Sequence, residues 1–220
     1  MIEIDLSRPG LALEVTAKDP AGGRQYRAQT TSEYVARNGL RAAVNGAFFE
    51  PFRPGVPLGE DYYPRSGDPV DTLPGPKPNG TVCIVKPARV TVEKGDKCAG
   101  PVDHSLTAGP MLLANGDMQT WTLGTARHPR TAFGVSADHK RAWMVVVDGR
   151  QVSSAGATLE EMAGILRRLG AADAVNLDGG GSSTMVFDDG AGPRVVNSTI
   201  HTGVAGRERP AATHLGVRAK

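Results

Sequence analysis

The stretch Asn176-Leu177-Asp178-Gly179-Gly180-Gly181-Ser182-Ser183-Thr184-Met185 (NLDGGGSSTM) constrains the fold of this chain more than any other. It follows an apolar run, Ala171 to Val175, that reads as the start of a buried strand. Residues two apart in a strand share a face, so Asn176 and Asp178 point one way while Val175 and Leu177 point into the core. One or two glycines suffice for a hairpin. Three in a row, followed by hydroxyls, let successive N–H groups converge in a nest that binds anions. The expectation is an acid and an amide beside an oxyanion or phosphate cradle made by Gly179, Gly180, Gly181, Ser182 and Ser183. A Gly-rich turn capped by Asp178 is the plain alternative.

Around this break most of the chain reads as short strands. Ile2 to Leu6 and Leu11 to Thr16 alternate about the turn Arg8-Pro9-Gly10. Thr31 and Ser32 are N-cap types before a short helix through Arg37, which Asn38-Gly39 stops. Arg41 to Val44 leads into Asn45-Gly46. Further strands are expected at Thr81 to Lys86, Arg89 to Glu93, Thr184 to Phe187, Arg194 to Val196 and His214 to Val217. Met111 to Ala114 and Asp117 to Leu123 flank Asn115-Gly116 as a hairpin, and Thr131 to Ser136 pairs with Arg141 to Val147 as another. Thr158 and Glu161 form a capping box for a helix from Leu159 to Leu169. Its apolar stripe is Leu159, Met162, Ile165, Leu166 and Leu169, and Gly170 stops it. Residues 51–78, crowded with proline and glycine, read as a long surface loop that forms a lid or substrate wall, or as a tolerated insertion.

The fold class read from this is α+β: one domain over 1–220, mostly mixed β-sheet with a few covering helices. The glycine run fails as a dinucleotide fingerprint, because a strand rather than a helix follows it. A formal charge of +2 with scattered basic residues gives no nucleic-acid footprint. No apolar run approaches the ~20 residues of a membrane helix. The opening MIEIDLSRPG has no basic segment followed by an apolar run, so no signal peptide is read there. Cys83 and Cys98 fit no zinc spacing and are either two buried thiols or one disulfide closing a short loop. No cofactor motif is present, and a divalent metal on Asp178 and scattered carboxylates stays open.

Other polar residues stand at strand ends. Asn45 precedes Gly46 and two phenylalanines. Arg127-His128-Pro129-Arg130-Thr131 places two arginines at the start of a strand, and Arg grips phosphate or carboxylate through two N–H groups. Asp148-Gly149 ends another strand, and Glu208-Arg209-Pro210 precedes the last. His104 stands a few residues before Gly109-Pro110, and a lone His of this kind is more often structural. No Gly-x-Ser-x-Gly nucleophile elbow occurs.

The chain resembles the phosphodiester glycosidase family, which has many bacterial members. The likeness runs nearly end to end, through IDLSRPGLALEV, TTSEYVARNGLRAAVNGAFF, TAGPMLLANG, RHPRTAFGV, VVVDGR, TLEEMAGILRRLGAADAVNLDGGGSSTM and RERPAATHLGV. The segment Glu50 to Pro78 is longer and richer in proline than that family pattern, and His214 stands where a small polar residue is expected. The resemblance implies hydrolysis of a sugar 1-phosphodiester, such as one of N-acetylglucosamine, at the anomeric C–O bond. Asp178 is then the carboxylate near the anomeric carbon, as base or nucleophile. Arg130 and the amides of Gly179 to Ser182 take the phosphate. Asn45 and Asn176 position the substrate, and Arg209 is a second anion contact or a support for Asp178. Thr131, Ser183, Gly109 and His104 complete the expected binding set. Glu50, Asp148 and Glu208 are candidates for a second carboxylate. The expected partner is a small-molecule or glycan sugar phosphodiester, and the expected home is extracytoplasmic. Two other classes fit the same residues: a metal-dependent phosphodiesterase that breaks the P–O bond, and a non-catalytic module that binds anionic glycans.

Overall fold

The computed structural model describes residues 1–21, 23–52, 59, 62–73, 79–121 and 125–219. Its larger sheet runs in the order β1 (Ile2–Asp5), β13 (Arg141–Val147), β12 (Arg130–Val135), β14 (Asp173–Asn176), β10 (Met111–Ala114), β11 (Asp117–Met118). A second runs β16 (Pro193–Val195), β15 (Met185–Asp188), β4 (Ala42–Asn45), β17 (His214–Ala219), β2 (Leu11–Val15). Two smaller sheets are β8 (Arg89–Lys94), β7 (Gly80–Val85), β9 (His104–Ala108), and β3 (Tyr26–Arg27), β6 (Pro69–Thr72), β5 (Phe49–Glu50).

Side-chain alternation decides how these sheets are layered. Phe133, Met144 and Val175 of the larger sheet enter one shared core with Val44, Leu215 and Val217 of the second and Val82, Ile84 and Leu106 of a smaller one. Their chain neighbours Ala132, Trp143 and Ala174 point the other way, against Leu159, Met162 and Leu166 of helix α2 (Leu159–Leu169). Ala43 and Val186 likewise meet Tyr34 and Val35 of helix α1 (Thr31–Asn38). The central strands are therefore buried on both faces, which is why they read as near-continuous apolar runs. Helices occupy the two outer layers, and strands carry most of the structure.

Local signals hold where they depend on neighbours in sequence. The capping box of Thr158 and Glu161 and the left-handed Gly170 bound α2. Asn115 (φ 52°) and Gly116 (φ 85°) turn the β10–β11 hairpin, and both positive φ angles match a type I′ turn. For α1 the N-cap is Thr30, not Thr31 or Ser32. Thr30 and Glu33 complete a capping box, and Thr31 is the buried first residue of the helix.

Other expectations are corrected. The sheet is not mixed: every pairing between the named strands is antiparallel. β13 and β14, joined through α2, do run the same way, but β12 lies between them and pairs with both. The 51–78 segment is not structureless, since it contains β6, paired with β3 and β5. The rest of that expectation falls partly on 53–58, 60–61 and 74–78, outside the described residues, as do 122–123 of the strand read to Leu123. Of the two possibilities for the cysteines, the structure has the disulfide Cys83–Cys98. Among the described residues no helix is long and apolar enough to cross a membrane.

Candidate active site

Asp178 lies just past the end of β14, and its main chain is pinned on both sides. Its N–H donates to the Gly46 carbonyl at 2.9 Å, and its own carbonyl accepts from Asn45 Nδ2 at 2.7 Å. Asn45 Oδ1 in turn accepts from Thr131 Oγ1 at 2.8 Å and the Thr184 N–H at 3.1 Å. Both the Nδ2 and the Oδ1 of Asn45 are thus bonded inside the protein, where the residue is 1% exposed. Asn45 and Thr131 therefore help fix the strand end that carries Asp178. Gly46 is required because a Cβ there would lie 2.5 Å from Thr213 Oγ1 and 2.8 Å from the Thr213 carbonyl oxygen.

Most amides of the glycine run are not available for the expected anion nest. The Gly179 N–H donates to Asp178 Oδ1 at 2.8 Å. The Gly180 N–H donates to the Pro129 carbonyl, and the Ser182 and Ser183 N–H groups to the Gly179 and Gly180 carbonyls, closing a 3-10 turn over Gly180–Ser182. These four amides are consumed, and the Gly181 N–H is not among them. The glycines instead make room for cations. A Cβ at Gly180 (φ 61°) would lie 3.1 Å from Arg150 Nη2, and one at Gly181 only 2.3 Å from Arg209 Nη2. Gly179 admits the Pro129 carbonyl, 2.8 Å from where its Cβ would be. Guanidinium groups therefore stand at the glycine run as candidate anion contacts.

Arg209 donates from Nη1 to Ser182 Oγ and from Nε to His201 Nδ1, each at 3.2 Å. Its guanidinium lies 4.1 Å from the centre of the Tyr63 ring. Arg150 is exposed, takes the uncommon left-handed backbone (φ 58°) and reaches His128 Nδ1 at 3.4 Å. Arg130, at the start of β12, donates from Nε to the Ala157 carbonyl at 3.0 Å and from Nη2 to the Ala126 carbonyl at 3.1 Å. A non-glycine residue at positive φ is a frequent mark of a functional segment.

The charges are coupled. Burial raises the Asp178 pKa, opposed by the Ser182 hydroxyl, Arg209, the Gly179 N–H and Arg150. Burial lowers the Arg130 pKa and Arg150 lowers it further. Burial also lowers Arg209, with Asp178 and Tyr63 acting against it. His201 is pushed down to about 4 by burial, Arg209 and Arg207, so it stays neutral and accepts at Nδ1. His128 is lowered by burial, Arg150 and Arg130. The result, among the described residues, is a half-buried carboxylate at Asp178 coupled to Arg209 and Arg150, with Arg130 coupled to Arg150. This arrangement suits an anion next to a base or nucleophile.

The remaining expected residues divide. Asn176 is buried and donates from Nδ2 to the carbonyls of Gly109 and Leu177 at 3.1 and 2.7 Å, so Gly109 serves as its anchor. Ser182 belongs to the site through Arg209 and Asp178, whereas Ser183 Oγ is buried without a hydrogen-bond partner among the described residues. His104 is not part of the site. It begins β9, pairs with Ile84, and its electrostatic neighbours are Lys86, Glu14 and Asp103. Glu208 is committed to the Ser32 N–H and hydroxyl, and Asp148 to Asn197 and the Ser198 N–H. Glu50 is an exposed residue of the β5 edge. None of these three candidates shares a hydrogen bond with Asp178 among the described residues, since Glu208 and Asp148 are bonded elsewhere and Glu50 is on the β5 edge. No group of three or more His, Cys, Asp or Glu suited to a metal occurs among the described residues. Arg150, Tyr63 and His201 escaped sequence reading. The signals nearest to them were the Asp148-Gly149 strand end before Arg150 and the 51–78 segment, read as a lid or substrate wall, that contains Tyr63.

The profile of a family described as phosphodiester glycosidase matches residues 38–218. The catalytic domain of zebrafish N-acetylglucosamine-1-phosphodiester alpha-N-acetylglucosaminidase, solved auto-inhibited by its pro-peptide, superposes with a TM-score of 0.63 at 17% identity, over 97% of this chain and 85% of that one. A candidate exported protein from Burkholderia pseudomallei K96243 gives 0.61 at 19%, over 98% and 73%. At these identities the likeness shows a common fold. The SPbeta prophage-derived uncharacterized protein YomE of Bacillus subtilis (strain 168) is 39% identical over 66 residues, covering 30% of this chain and 10% of that protein. The chain thus spans a tenth of that relative's length.

Proposed function

The chain belongs to the phosphodiester glycosidase family, and from that premise we propose that it hydrolyses a sugar 1-phosphodiester at the anomeric C–O bond. The observation that carries this reading is the single carboxylate of Asp178 set against the guanidinium groups of Arg209 and Arg150. A phosphodiester carries one negative charge. When the C–O bond breaks, the departing phosphate monoester gains a second, and preorganised cations stabilise that developing charge best. Arg209, Arg150 and Arg130 take this role. Asp178 works on the sugar side, as base for the attacking water or as nucleophile. Its raised pKa makes it a better proton acceptor near neutrality than an exposed aspartate. The backbone clamp from Asn45 and Gly46 holds it in place. Phosphate is a good leaving group, so a dedicated general acid is less needed than in ordinary glycosides. The Cys83–Cys98 disulfide supports an extracytoplasmic home.

The test is turnover of a panel of sugar 1-phosphodiesters and sugar nucleotides in oxygen-18 water, with and without chelator. Label in the released sugar, at a rate unmoved by chelator, is the expected result. Label in the phosphate, or a rate lost to chelator, moves the reading to a metal-dependent phosphodiesterase. Asp178→Asn is expected to abolish turnover with the melting temperature held, because the amide oxygen still accepts from the Gly179 N–H. Ligand binding that survives in that variant, from a wild-type chain with no turnover, favours a glycan-binding module.

A further inference from the structure

We infer that Tyr63 and His201 are positioning residues that hold the Arg209 guanidinium against Gly181 and beside Asp178, so that Tyr63 is a working part of the active site. The inference rests on the glycosidase reading for its catalytic consequence and on geometry for the rest. Three contacts fix Arg209 from three directions. His201 Nδ1 accepts from Nε at 3.2 Å, Ser182 Oγ accepts from Nη1 at 3.2 Å, and the Tyr63 ring lies 4.1 Å from Cζ. The two aromatic members also brace each other, since Tyr63 meets the His201 ring edge-on at 4.8 Å. Tyr63 is backed by Phe52 at 5.3 Å and Tyr62 at 5.5 Å, and Phe52 reaches Phe49 of β5 at 6.2 Å. A chain of rings thus runs from the edge of a β-sheet to the guanidinium.

The chemistry of each partner suits that task. The Tyr63 ring contributes its π face, which attracts a guanidinium without taking one of its N–H donors. His201 contributes an acceptor, which requires the neutral ring with its proton on Nε2. An arginine held this way has no hydrogen-bond partner for Nη2 among the described residues, and it lies above the glycine that has no side chain to block it. It also undergoes little reorganisation as negative charge grows on the phosphate, which is the condition for effective electrostatic stabilisation.

The experiment uses the full chain and four variants. Two break the clamp, Tyr63→Leu and His201→Phe, and two keep its chemistry, Tyr63→Phe and His201→Asn, whose Oδ1 still accepts. Solvent exchange of the Arg209 Nε–H is followed by nitrogen-15 NMR, and kcat and KM are measured separately on the panel. The expected result is a protected Nε–H in wild type that exchanges freely in Tyr63→Leu and His201→Phe. Those variants lose about 10-fold or more in kcat, as misplacement of a catalytic contact does, with KM changing far less. Tyr63→Phe and His201→Asn recover most of the protection and the rate. Unchanged Nε–H protection in folded Tyr63→Leu and His201→Phe overturns the inference, as does an equal rate loss in the conservative pair. A wild-type chain that turns over nothing on the panel defeats the glycosidase reading alone, because the exchange measurement still decides whether Tyr63 and His201 hold Arg209.

Discussion

Gly181→Ala isolates the part that the glycine run plays. The backbone at Gly181 is not in the left-handed region, so alanine can adopt it. Its Cβ would nevertheless lie 2.3 Å from Arg209 Nη2, 2.8 Å from Cζ and 3.2 Å from Nε. Reaching an ordinary separation of ~3.5 Å forces the guanidinium back by about 1 Å. That shift stretches its bonds to Ser182 Oγ and His201 Nδ1, both already at 3.2 Å. A displacement of this size in a catalytic contact costs roughly 10²-fold in rate, or about 2.7 kcal/mol of barrier. Stability should change little. Replacing Gly by Ala at a compatible position gains ~0.4–1 kcal/mol through the unfolded chain, which offsets the weakened hydrogen bonds. The assay is kcat/KM on a substrate the wild type turns over, paired with a urea melt. Gly164→Ala on α2 is the control, since its Cβ would meet nothing closer than Arg168 Nη1 at 3.5 Å. A Gly181→Ala protein with wild-type kcat/KM refutes the argument that this glycine exists to admit Arg209.

Asn45→Ala strands the Thr131 hydroxyl, the Thr184 N–H and the Asp178 carbonyl, whose partners are all on that one amide. At ~1–3 kcal/mol for each buried unsatisfied group, it should destabilise the fold by at least about 3 kcal/mol, read by denaturant unfolding, and should lower the rate of whatever protein remains folded. His214 governs an acid-side stability window. It is fully buried, stacks on Tyr34 at 4.8 Å and is pushed down to about 3 by burial. Its folded value lies below the unfolded one, so its neutral form favours the fold above about pH 6.5, and that contribution is lost as pH falls toward 3. The loss reaches roughly 2–3 kcal/mol by pH 4.5. Stability measured from pH 7 to pH 4.5 should fall less steeply in His214→Phe, which keeps a ring for the stack on Tyr34, and an unchanged slope contradicts this.

Features set by neighbouring residues were legible before the fold was known. The capping box of Thr158 and Glu161, the Asn115-Gly116 turn, and the inward set of Val175 and Leu177 each depend on a few consecutive positions and on helix or strand period. The NLDGGGSSTM run was recognisable as unusual for the same reason, and Asp178 within it as the acid to watch. The function of its glycines was not legible. Missing side chains are visible in a sequence, but what occupies the space they leave comes from elsewhere in the chain. Here the occupants are Arg150, Arg209 and the Pro129 carbonyl, brought in by the β13 end, the segment before β17 and the segment before β12. Asn45 was picked out as polar and placed against substrate, yet its amide is spent on Asp178, Thr131 and Thr184, three segments that only the joining of both sheets brings together. His104 shows the converse: a chemically able residue whose strand ends beside Lys86 and Glu14 instead of Asp178. Strand direction was equally hidden, because burial on both faces gives the same apolar runs whichever way a strand pairs. Local composition and period thus determined the elements, the acid and the need for bare backbone around it. The long-range strand order determined which cations filled that space, and so put Arg150 and Arg209 where a backbone nest was expected.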